Sequence, residues 1–317
     1  MQISLLLKGM AMGLAEAIPG VSGGTIAFIT GIYARLLNAI GNVLGPRVIS
    51  AWKRDGLAAA WKAADGFFIL QLGVGMVVGL GIAVVSITEL IEAYPPIVWA
   101  FFFGLIISSA IYVAKQVDKW NILNFSLLAI GAVIAFVLTT INPMNGSDNL
   151  LLVFLAGSVA ISALILPGIS GSFILLILGM YTVVLGAVRQ LLDGSLDGLA
   201  IVVVFALGCL VGLALFSRVL SYTFKTYPDR TLAILTGFMV GSLNKLWPWR
   251  NALTYRENSA GEKVALLEET VLPGNYLEGD PFVVAVVVAL VAGLAIVFAV
   301  DYLTPQKDEM DVLEAEL

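Results

Sequence analysis

Two short stretches of this chain carry proline, glycine and hydroxyl residues in the same order. They are Pro19-Gly20-Val21-Ser22-Gly23-Gly24-Thr25 and Pro167-Gly168-Ile169-Ser170-Gly171-Ser172. Proline pushes the preceding residue out of the α region, and glycine permits a sharp turn. A helix restarting after such a break presents N–H groups with no intrahelical partner, at the positive end of its dipole. Glycine lets an anion approach that backbone closely, and Ser22, Thr25, Ser170 and Ser172 add hydroxyl donors. Two such nests facing each other suit a phosphate or carboxylate head group. The plainer alternative is that the serines cap their helices and the glycines allow close packing. Recurrence of the whole motif favours a binding site.

Other chemistry is excluded by composition. The 317 residues contain no histidine and a single cysteine, Cys209. That removes Ser-His catalysis, imidazole zinc sites, haem ligation by histidine, disulfide frameworks and four-thiolate clusters. Gly-x-Ser-Gly within a membrane also surrounds the nucleophile of intramembrane serine proteases, but here no histidine base exists, and Lys8 and Lys245 fall near interfaces. No dense acidic site for a lipid phosphatase is visible. The expectation is a protein that is no enzyme, needs no metal or cofactor, and binds no nucleic acid. Glu16 is the one acid expected deep in the apolar region, where a lone carboxylate is expensive and suggests function. It could carry a coupling proton, bind a cation such as sodium, or hydrogen-bond the turn.

The elements that must position these groups are membrane helices. The chain is 60% hydrophobic and 12% charged, with a mean hydropathy of +0.99. A soluble domain is about 25% charged, so a bilayer is the expected solvent. Uncharged stretches at 66–88, 95–114, 122–141, 198–217, 231–244 and 281–300 read as six spans, the last two extended to 231–247 and 281–303 at their interfacial ends. Two other apolar regions, 1–44 and 149–188, are each broken at the Pro-Gly motif and read as helical hairpins, re-entrant or fully spanning. Residues 45–65 read as a basic amphipathic connector lying on a membrane surface. Residues 304–317 form an acidic tail, expected on the cytoplasmic side.

The two hairpins superpose at an offset of 148, with Pro19-Gly20 on Pro167-Gly168 and Ser22-Gly23 on Ser170-Gly171. Downstream the match resumes at an offset of 133, with Gly75 and Gly79 on Gly208 and Gly212 and Tyr94-Pro95 on Tyr227-Pro228. The expected fold is therefore an all-α polytopic membrane protein with two repeats, 1–148 and 149–303. Each repeat is a broken hairpin followed by three transmembrane helices. Three spans per half invert the second repeat relative to the first. This topology puts Arg189, Lys245, Arg250, Arg256 and Lys263 on one side and the other 12 of the 17 basic residues opposite. The richer side should be cytoplasmic and hold both termini. Arg35, Arg189, Arg218 and Lys245 then lie at span ends, where a cation could receive an anionic head group. Arg218 and Arg35 rank first because apolar residues flank them.

The motifs also carry a family resemblance. Lys8-Gly9, Pro19 to Thr25 and Gly31-Ile32-Tyr33 resemble the first signature of the DUF368 family of bacterial and archaeal membrane proteins. Leu166 to Ser172 with Gly179-Met180-Tyr181 resembles its second signature, and Gly241-Ser242-Leu243 with Trp247-Pro248-Trp249 its third. The resemblance implies a polyprenyl-phosphate transporter of the cell (inner) membrane, returning undecaprenyl phosphate, the lipid carrier of cell-wall synthesis, to the cytoplasmic leaflet. It carries over to the two Pro-Gly-x-Ser-Gly tips and Glu16. The residues alone leave open a small-anion transporter or channel built on the same paired tips. Neither reading fixes the coupling ion or the oligomeric state.

Overall fold

The computed structural model describes residues 3–16, 21–43, 45–141, 143–144, 146–257 and 263–303. The first broken segment forms α1 (Ile3–Glu16), α2 (Gly23–Ile29) and α3 (Tyr33–Val43). The connector is α4 (Pro46–Ala63), and the long helices α5 (Gly66–Ala93), α6 (Pro95–Lys115) and α7 (Ile122–Thr140) follow. The second broken segment forms α8 (Leu150–Ile165), α9 (Gly171–Ile177) and α10 (Met180–Leu192). Then come α11 (Leu199–Thr226), α12 (Pro228–Ser242), β1 (Arg250–Glu257), β2 (Lys263–Thr270) and α13 (Val283–Leu303).

Among the described residues, five helices, α5, α6, α7, α11 and α13, are long and apolar enough to cross a bilayer. The chain is thus a polytopic, mostly helical membrane protein. Helices α9 and α10 together would make a sixth span, but they bend by 105° at their junction. With 14 and 16 residues, α1 and α8 reach only about 21 and 24 Å, short of a ~30 Å hydrocarbon core. Outward-facing side chains on the long helices are large and apolar, among them Phe125, Val133, Leu215, Val284 and Val288. Water would penalise such a coat, whereas lipid tails accept it.

Several boundaries differ from the sequence reading. Helices α5 and α11 each run 28 residues, well past the ends expected at 88 and 217. Both stop at a tyrosine before a proline, Tyr94 with φ −140° and ψ 56° and Tyr227 with φ −140° and ψ 58°. Arg218 consequently sits inside α11 rather than beyond its end. Helix α12 stops at Ser242 and continues as a 3-10 turn, Leu243–Leu246, so the apolar stretch expected at 231–247 is not one regular helix. The purely helical expectation also fails in the polar loop after Trp249, where β1 and β2 pair as an antiparallel hairpin. The segments RNALTYRE and KVALLEET mix polar residues with Tyr, Thr, Val and Leu, a composition that suits strands. Trp247 and Trp249 tie the loop down, their indole N–H groups donating to Val271 O and Pro281 O, both at 2.8 Å.

Packing is repetitive. Helix α1 packs on α5 as α8 packs on α11, and α6 packs on α13 as α12 packs on α7. The close approaches match residue by residue. A Cβ at Gly75 would strike the Leu6 carbonyl and one at Gly79 that of Met10; at Gly208 and Gly212 it would strike those of Phe154 and Ser158. Likewise Gly104 abuts the backbone of Leu290, and Gly237 that of Leu128. The last helix of each half therefore packs against the middle long helix of the other half.

Candidate functional site

The first tip lies at the start of α2. Ser22 has extended backbone angles (φ −119°, ψ 135°), and its Oγ accepts from Gly24 N at 3.0 Å, as an N-cap does. The Thr25 amide donates to Ser22 O at 3.0 Å, and the Gly23 amide donates to Glu16 Oε1 at 2.6 Å. The nest at this tip is thus occupied by the protein's own oxygens rather than open. Of the alternatives for Glu16, the geometry includes the bond to the turn. The opposite end of α2 is held by the same neighbour, since Lys8 Nζ donates to Thr30 O at 2.5 Å. A carboxylate at the N-terminus and an ammonium at the C-terminus both complement the dipole of α2. Pro19 and Gly20 lie outside the described residues.

The second tip is built differently. Leu164 stands where the first repeat has Glu16, so no carboxylate reaches the start of α9 from that position. Ser170 is extended (φ −95°, ψ 131°) but makes no side-chain cap; its Oγ lies 2.8 Å from Ser172 Oγ. Pro167 precedes Gly168, whose φ of +85° needs glycine, and a Cβ there would collide with the Met239 backbone.

The two tips touch. Ser22 Oγ donates to Leu164 O at 3.1 Å, Gly168 N donates to Thr25 Oγ1 at 3.2 Å, and the Tyr33 hydroxyl donates to Ile165 O at 3.1 Å. Gly24 fits under the Ile165 carbonyl only because it lacks a side chain. Val21, Ser22, Gly23, Gly24, Thr25, Ser170 and Gly171 are buried, whereas Ser172 is half-buried. The candidate residues of the two tips therefore converge in the interior, joined by hydrogen bonds across more than 130 residues of chain.

The two arginines chosen from sequence are not at this junction. Arg35 is on α3, paired with Asp65 through Nε at 2.6 Å and Nη2 at 3.0 Å, with its guanidinium 4.4 Å from the Phe68 ring centroid. Arg218 is exposed on α11, where its neighbour Ser217 lies under Gly41 of α3. In the sequence Tyr33 stands out only as part of the first family signature, yet it is a strut between the tips. Its phenol is part of an aromatic cluster with Phe28 and Phe224, at centroid distances of 5.2 and 5.9 Å.

The sequence pattern of the VCA0040-like family, described as undecaprenyl phosphate translocase-like, matches residues 12–264. The chain belongs to this family. A polyprenyl-phosphate transporter of Vibrio cholerae serotype O1 is 42% identical over 274 residues, covering 86% of this chain and 87% of the relative. A polyprenyl-phosphate transporter of Staphylococcus aureus is 30% identical over 255 residues, covering 77% and 85%. No solved structure matches. By name these relatives are transporters rather than enzymes. The family match spans both tips and all three cross-tip bonds.

Proposed function

We propose that this chain carries undecaprenyl phosphate, or a closely related polyprenyl phosphate, from the outer to the cytoplasmic leaflet of the cell membrane. Membership of the translocase-like family and two relatives named polyprenyl-phosphate transporters support the substrate class. The observation that carries the mechanism is the buried meeting of the two tips through Ser22, Thr25 and Tyr33. Non-helical backbone at membrane depth is tolerated where it is packed in protein or lines a path for substrate.

In this reading the two halves are inverted repeats, and each hairpin is re-entrant. The shortness of α1 and α8 and the duplicated glycine contacts support it. The basic residues orient the chain with both termini in the cytoplasm. The joined tips close the path. Rocking of one half against the other parts them, exposing the amides and hydroxyls of residues 19–25 and 167–172 to a phosphate. These donors replace part of the head group's lost hydration, which is the barrier to crossing. At the first tip an arriving phosphate competes with Glu16 for the Gly23 amide, so Glu16 gates the nest. Arg35 and Arg218 meet the head group at the cytoplasmic side, Arg35 by exchanging Asp65 for phosphate.

The isoprenoid tail stays in lipid. An apolar groove of about 390 Å³, bounded by Phe216, Leu220, Ile234 and Phe238 with Arg230 at its polar margin, reaches Leu166 beside the second tip. Such a lateral groove suits a lipid better than a small soluble anion. Proteoliposomes containing the protein should exchange a polyprenyl phosphate between leaflets faster than empty liposomes do. Exchange at the empty-liposome rate overturns the proposal, and flux of soluble anions in its place would support the channel alternative.

A further inference from the structure

A second polar cavity, of about 480 Å³, lies between the β-hairpin, the end of α7, the 3-10 turn after α12 and α9. Its charged lining is unusual in composition. Lys245 Nζ and Arg250 Nη2 both contact one oxygen of Glu268, Oε2, at 3.0 and 2.9 Å. The Lys245 side chain is 17% exposed and that of Arg250 only 9%. Arg250 Nη1 donates to the Lys245 carbonyl at 2.9 Å, while its buried Nε has no hydrogen-bond partner among the described residues. Glu269 also borders the cavity but is exposed, so solvent screens its charge. A partly buried lysine and a largely buried arginine thus share one carboxylate, and a buried donor is left over among the described residues. Burial lowers the pKa of Lys245, and the adjacent Arg250 lowers it further, with Glu268 opposing both. Two cations against one carboxylate leave an excess positive charge that an anionic group would neutralise.

We infer that this cavity binds a phosphate monoester through Lys245, Arg250 and the unpartnered Arg250 Nε, ahead of the paired tips. The inference rests on the polyprenyl-phosphate reading for its ligand class, and it adds a waiting position for the head group on the hairpin side. The lining of the cavity is that of an amphiphile's site, charged on one part and apolar on another. Phe136, Ile141 and Leu253 on its lining are exposed and apolar, as contacts to a hydrocarbon chain require. It also leads towards the second tip. Lys245 Nζ sits 5.5 Å from the ring centroid of Phe173, the residue that follows Ser172 on α9. Phe173 occupies the position of Thr25 in the first repeat. The apolar ring closes the floor of the cavity where the first tip has a hydroxyl.

The test uses the full chain in detergent, titrated separately with a short-chain polyprenyl phosphate, inorganic phosphate and the neutral polyprenol. The polyprenyl phosphate should bind, the polyprenol should not, and Lys245→Gln should weaken binding about 10-fold, the loss of one charge-assisted hydrogen bond. Lys245→Arg keeps the charge and should retain affinity. An unchanged thermal midpoint in Lys245→Gln separates lost binding from lost fold. If that variant is destabilised, protection of the wild-type β-hairpin from hydrogen exchange by the lipid phosphate decides the matter. Tighter binding of the lipid phosphate than of inorganic phosphate assigns the site to a lipid head group; equal binding keeps the site and assigns it to free phosphate. Wild-type affinity in Lys245→Gln, or no protection of the hairpin, overturns the inference. Leaflet exchange is measured in parallel. Loss of exchange with Lys245-dependent binding intact would sink the transport reading alone.

Discussion

The Gly168 amide donates to Thr25 Oγ1 at 3.2 Å, tying the turn of the second tip to the first half-helix. Both residues are buried, so this bond has no competition from water. Valine matches threonine in shape but cannot accept. Thr25→Val should leave the Gly168 N–H orphaned at a cost of about 1–3 kcal/mol, while Thr25→Ser should restore most of it. Thermal unfolding of the two variants in detergent measures the difference. Equal midpoints would show that the bond does not hold the tips together.

Gly168 itself is the stricter position. Its φ of +85° disfavours any side chain by about 1–2 kcal/mol. A Cβ would in addition meet the Met239 backbone, adding an overpacking cost of about 1–3 kcal/mol. Gly168→Ala should therefore lower the thermal midpoint clearly more than Gly186→Ala, where a Cβ has nothing within 4 Å. A similar small loss in both variants would remove Gly168 as a hinge of the closed tips.

Glu16 and Lys8 are eight residues apart on α1 and grip the two ends of α2. Glu16→Gln keeps an oxygen for the Gly23 amide, whereas Glu16→Ala leaves that amide without its acceptor. The alanine variant should be the less stable by about 1–3 kcal/mol. If Glu16 also gates the nest by its charge, Glu16→Gln should change leaflet exchange while leaving the thermal midpoint nearly unchanged. Exchange at the wild-type rate in a stably folded Glu16→Gln would show that the charge plays no part.

Much of this was legible from residue types alone. The Pro167-Gly168 break is legible because proline and glycine together interrupt an uncharged run too long for one span. Repeat offsets foretold that Gly75 and Gly208 occupy like positions. What sequence could not supply was partner choice. The sequence offers a bond from Glu16 to the turn as one of three roles but does not single out the Gly23 amide, since that depends on α1 folding back antiparallel to α2. The bridging role of Tyr33 leaves no trace in the sequence because its partner, Ile165 O, is a backbone atom with no signature. Lys245, Arg250 and Glu268 meet only when the β-hairpin folds over the end of α12, and a mixed polar loop gives a weak strand signal. Charge is a poor marker of where α5 and α11 end: both run past the first charged residue after their apolar stretch. A helix continues through Arg218 and Lys225 until a tyrosine-proline pair stops it.

The glycine contacts give a prediction about equivalence. Gly79 and Gly212 each place a helix backbone against the carbonyl of an α1 or α8 residue. Leucine at either position would force the pair apart, a cost at or above the ~3 kcal/mol upper range of overpacking. Gly79→Leu and Gly212→Leu should lower folded yield to similar extents, while Gly73→Leu, with open space around it, should not. A large effect at Gly79 with none at Gly212 would argue against equivalent packing of the two halves.

Arg35 separates stability from transport. Its pair with Asp65 is part-exposed, with side-chain accessibilities of 41% and 38%, so solvent screens it. Such pairs contribute about 0–1 kcal/mol. Asp65 also adopts a left-handed φ of 51°, which asparagine tolerates well. Asp65→Asn should therefore keep the turn and free the guanidinium from its ion pair, whereas Arg35→Ala removes the cation. Both variants should fold with thermal midpoints close to wild type. If Arg35 receives the phosphate on the cytoplasmic side, Arg35→Ala should slow leaflet exchange several-fold and Asp65→Asn should not. Equal slowing in both variants would mean that the ion pair positions α3 against α5, and that Arg35 never meets the substrate.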